Sequence, residues 1–211
     1  MFQDLDEIGA CLVPLFPKDM DFNEVDDLDE GDVVHRLFRQ LKEARGSRAE
    51  NAGPLEIYLQ ECGVSRLIDG DFQSFCDANY ASSEVKVTSP RGIYERAVAL
   101  FSQEEYTQAV GFFCLIASLH EKAAGSLIAL SACASRQALY KSGYNLAIAS
   151  IKADDKHPRS HLLAGYCALR LNDLRSAKRY LALASRLARR DPMFRPEQRA
   201  AQQQLLSLQF S

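Results

Sequence analysis

IYERAVALFSQEEYTQAVGFFCLIASLH, residues 93–120, reads as two amphipathic helices joined at Gln103–Glu105. Apolar residues recur at helical spacing on both sides of the polar turn, which is the pattern of two helices closing on each other. The second half carries a further signal, with Tyr106 followed by Ala109 and then Phe113. A small residue one turn after an aromatic, with a bulky apolar residue one turn later, lets a partner helix approach closely before the large side chain fills the space beyond. Two later stretches show the same arrangement, YNLAIASI at 144–151 and LRSAKRYL at 174–181.

The small residues of the three motifs are Ala109, Ala147 and Ala177, a longer step followed by a shorter one. Their mean step is about 34 residues, which is the period of the two-helix tetratricopeptide unit. The expected fold is therefore all-α: three tetratricopeptide-type hairpins forming a short superhelix, closed by a C-terminal capping helix and preceded by a helical N-terminal extension. Ser89 and Pro90 mark the start of the first repeat. Its helices are expected at about 91–102 and 106–119, with repeat two at 124–156 and repeat three at 158–190. Ala97 and Gly165 supply small residues for close helix packing. A helix over about 196–209, with Leu205, Leu206, Leu208 and Phe210, is the expected cap over the last apolar face. The uneven spacing implies about four extra residues before Ala147 and leaves the register of that repeat's first helix open.

Upstream, the pattern is weaker. Val34, Leu37, Phe38 and Leu41 mark one face of a helix over 33–45, with Asp32 as its cap. Residues 54–81 suggest two short helices, the first carrying Leu55, Ile57, Tyr58 and Leu59 behind Pro54, the second Phe72, Phe75, Cys76 and Tyr80. The organisation expected is an acidic segment at 1–32 with the composition of an unordered tail, a helical extension at 33–87, and the repeat domain at 88–211.

Charge divides along the same line. Residues 1–32 hold eleven acids and one base, net −10, against +7 over residues 33–211. The acidic head is either a solvated tail, the commoner outcome, or a cover folded over the basic body. Its run Asp26, Asp27, Asp29, Glu30 and Asp32 lacks the glycine spacing and histidine partners that a metal or acid–base site needs, so a solvated run is the better reading. Six cysteines form no CxxC pair and sit largely in apolar helical contexts, as buried free thiols do. His157 and His161 are one turn apart without a nearby acidic or cysteine ligand. No phosphate loop or nucleophile elbow is present, so no catalytic residue, metal or cofactor is expected. No apolar run reaches the length of a membrane span and no basic-aromatic nucleic-acid motif accompanies the basic half.

The stretch Ile93–Asp191 resembles the tetratricopeptide class of type III secretion chaperones that serve translocator proteins. Three passages carry the resemblance: residues 93–120 quoted above, SACASRQALYKSGYNLAIAS at 131–150, and PRSHLLAGYCALRLNDLRSAKRYLALA at 158–184. The resemblance implies a non-enzymatic bacterial cytoplasmic protein. Its implied partner is a secreted translocator client held in the concave groove, and a homodimer is an option. The class begins with a short helical arm, whereas here almost 90 residues precede the first repeat.

With Ala109, Ala147 and Ala177 as the twentieth residue of each repeat, the groove positions 5, 9 and 12 fall on Tyr94, Val98 and Phe101, then Ala132, Arg136 and Leu139, then Leu162, Tyr166 and Leu169. Apart from Ala132, these are the expected peptide-binding residues. Arg136, Arg159 and Arg170 are either counter-charges to an acidic client or, the commoner outcome for each singly, solvated surface charges. The aromatic and aliphatic helix positions disfavour a carboxylate clamp. The same residues are also consistent with a groove closed by the N-terminal helices. A tetratricopeptide scaffold that assembles secretion or transcription partners is the competing function.

Overall fold

The computed structural model describes residues 39, 42, 43, 53–62, 90–119 and 124–209. The expectations for 1–32, for the helical face of 34–41, for the second short helix of the extension and for the Ser89 cap lie outside these residues. Arg39, Lys42 and Glu43 are helical and exposed.

The remaining described elements are α1 (Pro54–Glu61), α2 (Pro90–Ser102), α3 (Tyr106–Leu119), α4 (Ala124–Arg136), α5 (Tyr140–Ala153), α6 (Pro158–Arg170), α7 (Leu174–Ala188), a 3-10 turn (Pro192–Phe194) and α8 (Arg195–Ser207). No strand occurs among the described residues. No described helix is long and apolar enough to cross a membrane. The described residues divide into two compact units, parting between Ser126 and Leu127.

The repeat is more regular than the motif spacing suggests. First helices begin at Pro90, Ala124 and Pro158, and second helices at Tyr106, Tyr140 and Leu174, each start one full tetratricopeptide period after the one before. Each hairpin turns through one left-handed residue: Glu104, Ala138 and Asn172, with φ of 65°, 61° and 62°. The hydrogen bonds around it repeat as well. Glu104, Ala138 and Asn172 donate their N–H to Phe101, Ser135 and Leu169, while Glu105, Leu139 and Asp173 donate to Leu100, Ala134 and Ala168. These are the paired closing bonds that satisfy the last carbonyls of a helix. The residue ending each turn then accepts the N–H of Ala109, Gly143 or Ala177, starting the next helix.

This corrects the register of the second repeat. Its twentieth residue is Gly143, one turn before Ala147, and there are no extra residues ahead of it. Gly143 occupies the small-residue position because a Cβ there would sit 3.0 Å from both Cys167 Sγ and Ser135 Oγ. The period also runs on past the third repeat. Pro192 stands one more period beyond Pro158, so the 3-10 turn and α8 form the first helix of a fourth, half-complete unit. This is the expected capping helix.

Within the unit up to Ser126, α2 packs on α3. Thr107 Oγ1 donates to the carbonyl of Cys62 at 3.3 Å, joining the end of α1 to the start of α3. Tyr58 and Leu59 are the buried face of α1. Within the other unit, α6 packs against α5, α7 and α8, and α7 also packs against α8. Close approach of α6 and α7 depends on Gly165, where a Cβ would meet Leu181 Cγ at 2.7 Å. Buried Leu130, Leu146, Leu162, Leu163 and Leu181 form its aliphatic core, each worth about 1.5–3 kcal/mol of burial.

Candidate functional site

Positions 5, 9 and 12 of a first helix fall on one stripe, because three- and four-residue steps return to the same helix face. In α2 the stripe is Tyr94, Val98 and Phe101. Tyr94 stacks edge-on against Phe113 of α3 with ring centroids 6.0 Å apart, and Phe101 does the same against Tyr106 at 5.3 Å. Both rings are buried, while Val98 is half-buried. Two of the three expected residues thus also hold their own hairpin together.

The corrected register changes the second repeat's contribution. Positions 5, 9 and 12 of α4 are Ile128, Ala132 and Ser135. Arg136 and Leu139, assigned to positions 9 and 12 by the uneven spacing, instead lie at the last residue of α4 and at the end of its turn, both half-buried. The error has a physical source. Tyr140 and Tyr144 are one helical turn apart, so Tyr144-x-x-Ala147 imitates the motif that Tyr140-x-x-Gly143 actually supplies.

In α6 the stripe is Leu162, Tyr166 and Leu169, as expected. Tyr166 lies 6.2 Å from the ring of Tyr140, whose other neighbour is the Arg170 guanidinium, 4.9 Å from the ring centroid. Burial pushes the Tyr166 phenol up to about 12; the nearby Tyr140 adds to the rise and Arg170 opposes it. Its hydroxyl is buried beside Tyr140. Exposure is 7% at Ile128, 2% at Ala132, 0% at Leu162 and 5% at Tyr166. Arg170, at the edge of the stripe, is exposed.

Arg159, one of the cations expected to meet a client, has a structural task. Its Nε donates to Glu197 Oε1 of α8, and both side chains are buried. The two histidines are similarly occupied. His157 Nδ1 accepts the Arg159 N–H at the start of α6, and its ring stacks on Phe194. His161 Nε2 is 2.8 Å from the carbonyl of Asp155. Among the described residues no group of three His, Cys, Asp or Glu side chains is arranged to hold a metal ion.

The described thiols offer no nucleophile. Cys62, Cys114, Cys133 and Cys167 are buried. Cys167 shares a 3.1 Å hydrogen bond with Ser135 Oγ, yet burial outweighs it and pushes the thiol up to about 12. The described first-helix stripes are largely aromatic and aliphatic, and Arg170 stands exposed at the edge of the third.

Sequence reasoning misses Tyr140, Ile128 and Glu197. The signal that finds the first two is the set of prolines at 90, 158 and 192, all separated by whole periods. Nothing in the local sequence marks Glu197 as a buried partner.

Comparison with solved structures gives the fold. The chaperone PcrH from Pseudomonas aeruginosa is 21% identical, with a TM-score of 0.55 over 62% of this chain and 98% of PcrH. The type III secretion chaperone SycD of Yersinia enterocolitica, solved with a peptide of the translocator YopD, is 22% identical, with a TM-score of 0.54 over 63% of this chain and 98% of SycD. The tetratricopeptide domain of Sgt2 from Aspergillus fumigatus is 14% identical, with a TM-score of 0.52 over 57% of this chain and 77% of that one. The chain has the helical fold that these translocator chaperones share with tetratricopeptide domains. No protein-family model and no curated relative matches the sequence.

Proposed function

We propose that this chain is a non-enzymatic chaperone of a bacterial type III secretion system, acting in the cytoplasm. Its proposed client is a translocator or similar exported protein, held as an extended segment along the first-helix stripes. One observation carries the reading: the strictly periodic helical array has the fold of SycD, a chaperone solved with a translocator peptide. The proposed contact residues are Tyr94, Val98, Phe101, Leu162, Tyr166 and Leu169. Ile128, Ala132 and Ser135 take the second-repeat positions, while Arg136 and Arg170 serve as flanking charges.

The physical basis is anchoring. An extended segment places alternate side chains into apolar pockets and keeps its backbone bonded at polar edges. Each well-buried aliphatic anchor contributes about 1.5–3 kcal/mol, and several together exceed the ordering cost of a flexible segment. A client with membrane-seeking stretches, kept on such a surface, stays soluble until export. We also retain the division into an acidic head (1–32), an extension (33–87) and a repeat domain (88–211) as a proposal, and a homodimer is compatible with it.

The test is co-expression of the full chain with translocator proteins, followed by affinity capture. One translocator recovered in stoichiometric, soluble form is the expected result. Recovery of several folded proteins and no translocator would instead establish the scaffold reading, which the likeness to the Sgt2 domain keeps in view.

A further inference from the structure

The outer face of α7 carries a charge pattern that packing does not explain. Leu174–Arg190 holds six cations, Arg175, Lys178, Arg179, Arg186, Arg189 and Arg190, and no acid. All six are exposed, while Ala177, Leu181, Ala184, Ser185 and Ala188 form the buried side of the same helix. At 3.6 residues per turn the cations fall within about a third of the helix circumference, in a row about 22 Å long. A solvated helix face ordinarily mixes signs, because like charges three and four residues apart repel. Here Arg175 is so placed to Lys178 and Arg179, and Arg186 to Arg189 and Arg190. The last three have a local use, since the helix dipole favours cations near a C-terminus. Arg175, Lys178 and Arg179 stand near the other end and have no such use. Asp173 offsets Arg175 in part. Asp173 and Asp191, the acids flanking the row, already accept the backbone N–H of Ser176 and Met193.

The row has a neighbour. One period earlier, Lys141 and Lys152 of α5 hold the register positions of Arg175 and Arg186, and Lys156 that of Arg190, all three exposed. Tyr144 of α5 meets Tyr180 of α7 with ring centroids 6.1 Å apart, so the two helices lie side by side. The acids there, Asp154 and Asp155, are confined to the turn after α5. The repeat itself does not demand these cations, because α3 has no charged residue at all. At the turn that enters α7, Leu171 and Leu174 are 45% and 43% exposed, two of the three exposed large apolar side chains among the described residues.

We infer that the outer face of α5 and α7 is a peripheral membrane-binding surface whose occupant is an anionic lipid bilayer. The two rows of cations meet headgroup phosphates, and Leu171 and Leu174 reach below the headgroups. A polybasic patch and a few apolar side chains are each weak anchors, and stable attachment takes both. A nucleic-acid backbone has no use for the two leucines, and the row offers no exposed aromatic ring on which a base could stack. An extended acidic peptide needs one line of cations, whereas matched rows on neighbouring helices suit a plane of charge. The chain as a whole is net −3, so the attraction belongs to this face and acts within a Debye length of the membrane. The surface lies apart from the first-helix stripes, so the inference does not rest on the identity of the client.

The experiment floats the full-length chain with vesicles of equal parts phosphatidylglycerol and phosphatidylcholine, and with vesicles of phosphatidylcholine alone. Flotation with the anionic vesicles only is expected, weakening as salt is raised. Arg175→Gln/Lys178→Gln/Arg179→Gln is expected to lose roughly hundredfold in vesicle affinity. These residues are exposed, and removing their charge near the start of α7 favours the helix, so the loss does not come from unfolding. Leu171→Ser/Leu174→Ser leaves the charge unchanged and is expected to lose roughly tenfold. No flotation, equal flotation with both vesicle types, or either variant floating like wild type overturns the inference. A DNA duplex or poly-glutamate bound at a salt concentration where anionic vesicles are ignored assigns the face to that polyanion and overturns it too. The glutamine variant is expected to capture a translocator as wild type does; loss of that capture assigns the face to the client and contradicts a separate membrane surface.

Discussion

At the scale of single residues, the three hairpin turns pose one problem and solve it with unequal success. Each needs a left-handed residue, and the chain supplies Glu104, Ala138 and Asn172. Asparagine tolerates this conformation, whereas alanine carries a Cβ penalty of about 1–2 kcal/mol. Ala138→Gly is therefore expected to raise the urea midpoint of unfolding, reflecting a stability gain of about 0.5–1 kcal/mol after the entropy of glycine is set against the relief. An unchanged or lower midpoint would contradict the turn geometry. Gly165 is the converse case. Gly165→Ala drives a methyl into Leu181 and its backbone nitrogen, and about 1–3 kcal/mol of stability should be lost, measured in the same titration. Cys167 gives a prediction with pH. Its folded thiol is raised from 9.0 to about 12 by burial, so the unfolded thiol ionises first and stability falls as pH rises from 9 toward 12. At neutral pH the thiol should react with a disulfide reagent only after unfolding; rapid labelling of the folded chain at Cys167 would show that it is not buried.

At the scale of elements, the 3.6-residue apolar pattern makes the helices of the repeats legible in the sequence. The first repeat's helices start and stop within a residue of expectation, and the cap appears where an exposed last face demands one. The second repeat misleads because local motif similarity there competes with the period. Glycine at 143 hides the small-residue signal that alanine gives at 109 and 177, while Tyr144 and Ala147 offer a convincing imitation one turn later. That imitation is what puts Arg136 and Leu139 on the expected stripe. Burial is less legible still. The sequence offers Arg159 as a client contact or a solvated surface charge, but the helix that caps the array reaches back to hold it through Glu197. That link can be tested by itself. Glu197→Ala leaves a buried guanidinium without its carboxylate and is expected to cost about 3–5 kcal/mol. Replacing both partners, Arg159→Met with Glu197→Leu, should recover most of the loss. A double variant as unstable as the single one would show that α6 and α8 are not held by this pair.

At the scale of the whole molecule, the periodic helical array is what the binding reading rests on. The fold of translocator chaperones then supplies the kind of ligand to test, while leaving more than a third of the chain outside the matched region. The central claim is that the client lies on the stripe formed by positions 5, 9 and 12. Leu169 is half-buried on that stripe, whereas Lys178 is exposed on α7, the second helix of the same repeat. The most direct test compares Leu169→Asp with Lys178→Asp in the full chain, co-expressed with the translocator captured by wild type and checked for unchanged helicity. The account predicts that Leu169→Asp loses the translocator and Lys178→Asp keeps it. Retention by Leu169→Asp, or loss confined to Lys178→Asp, would place the client elsewhere and contradict the account.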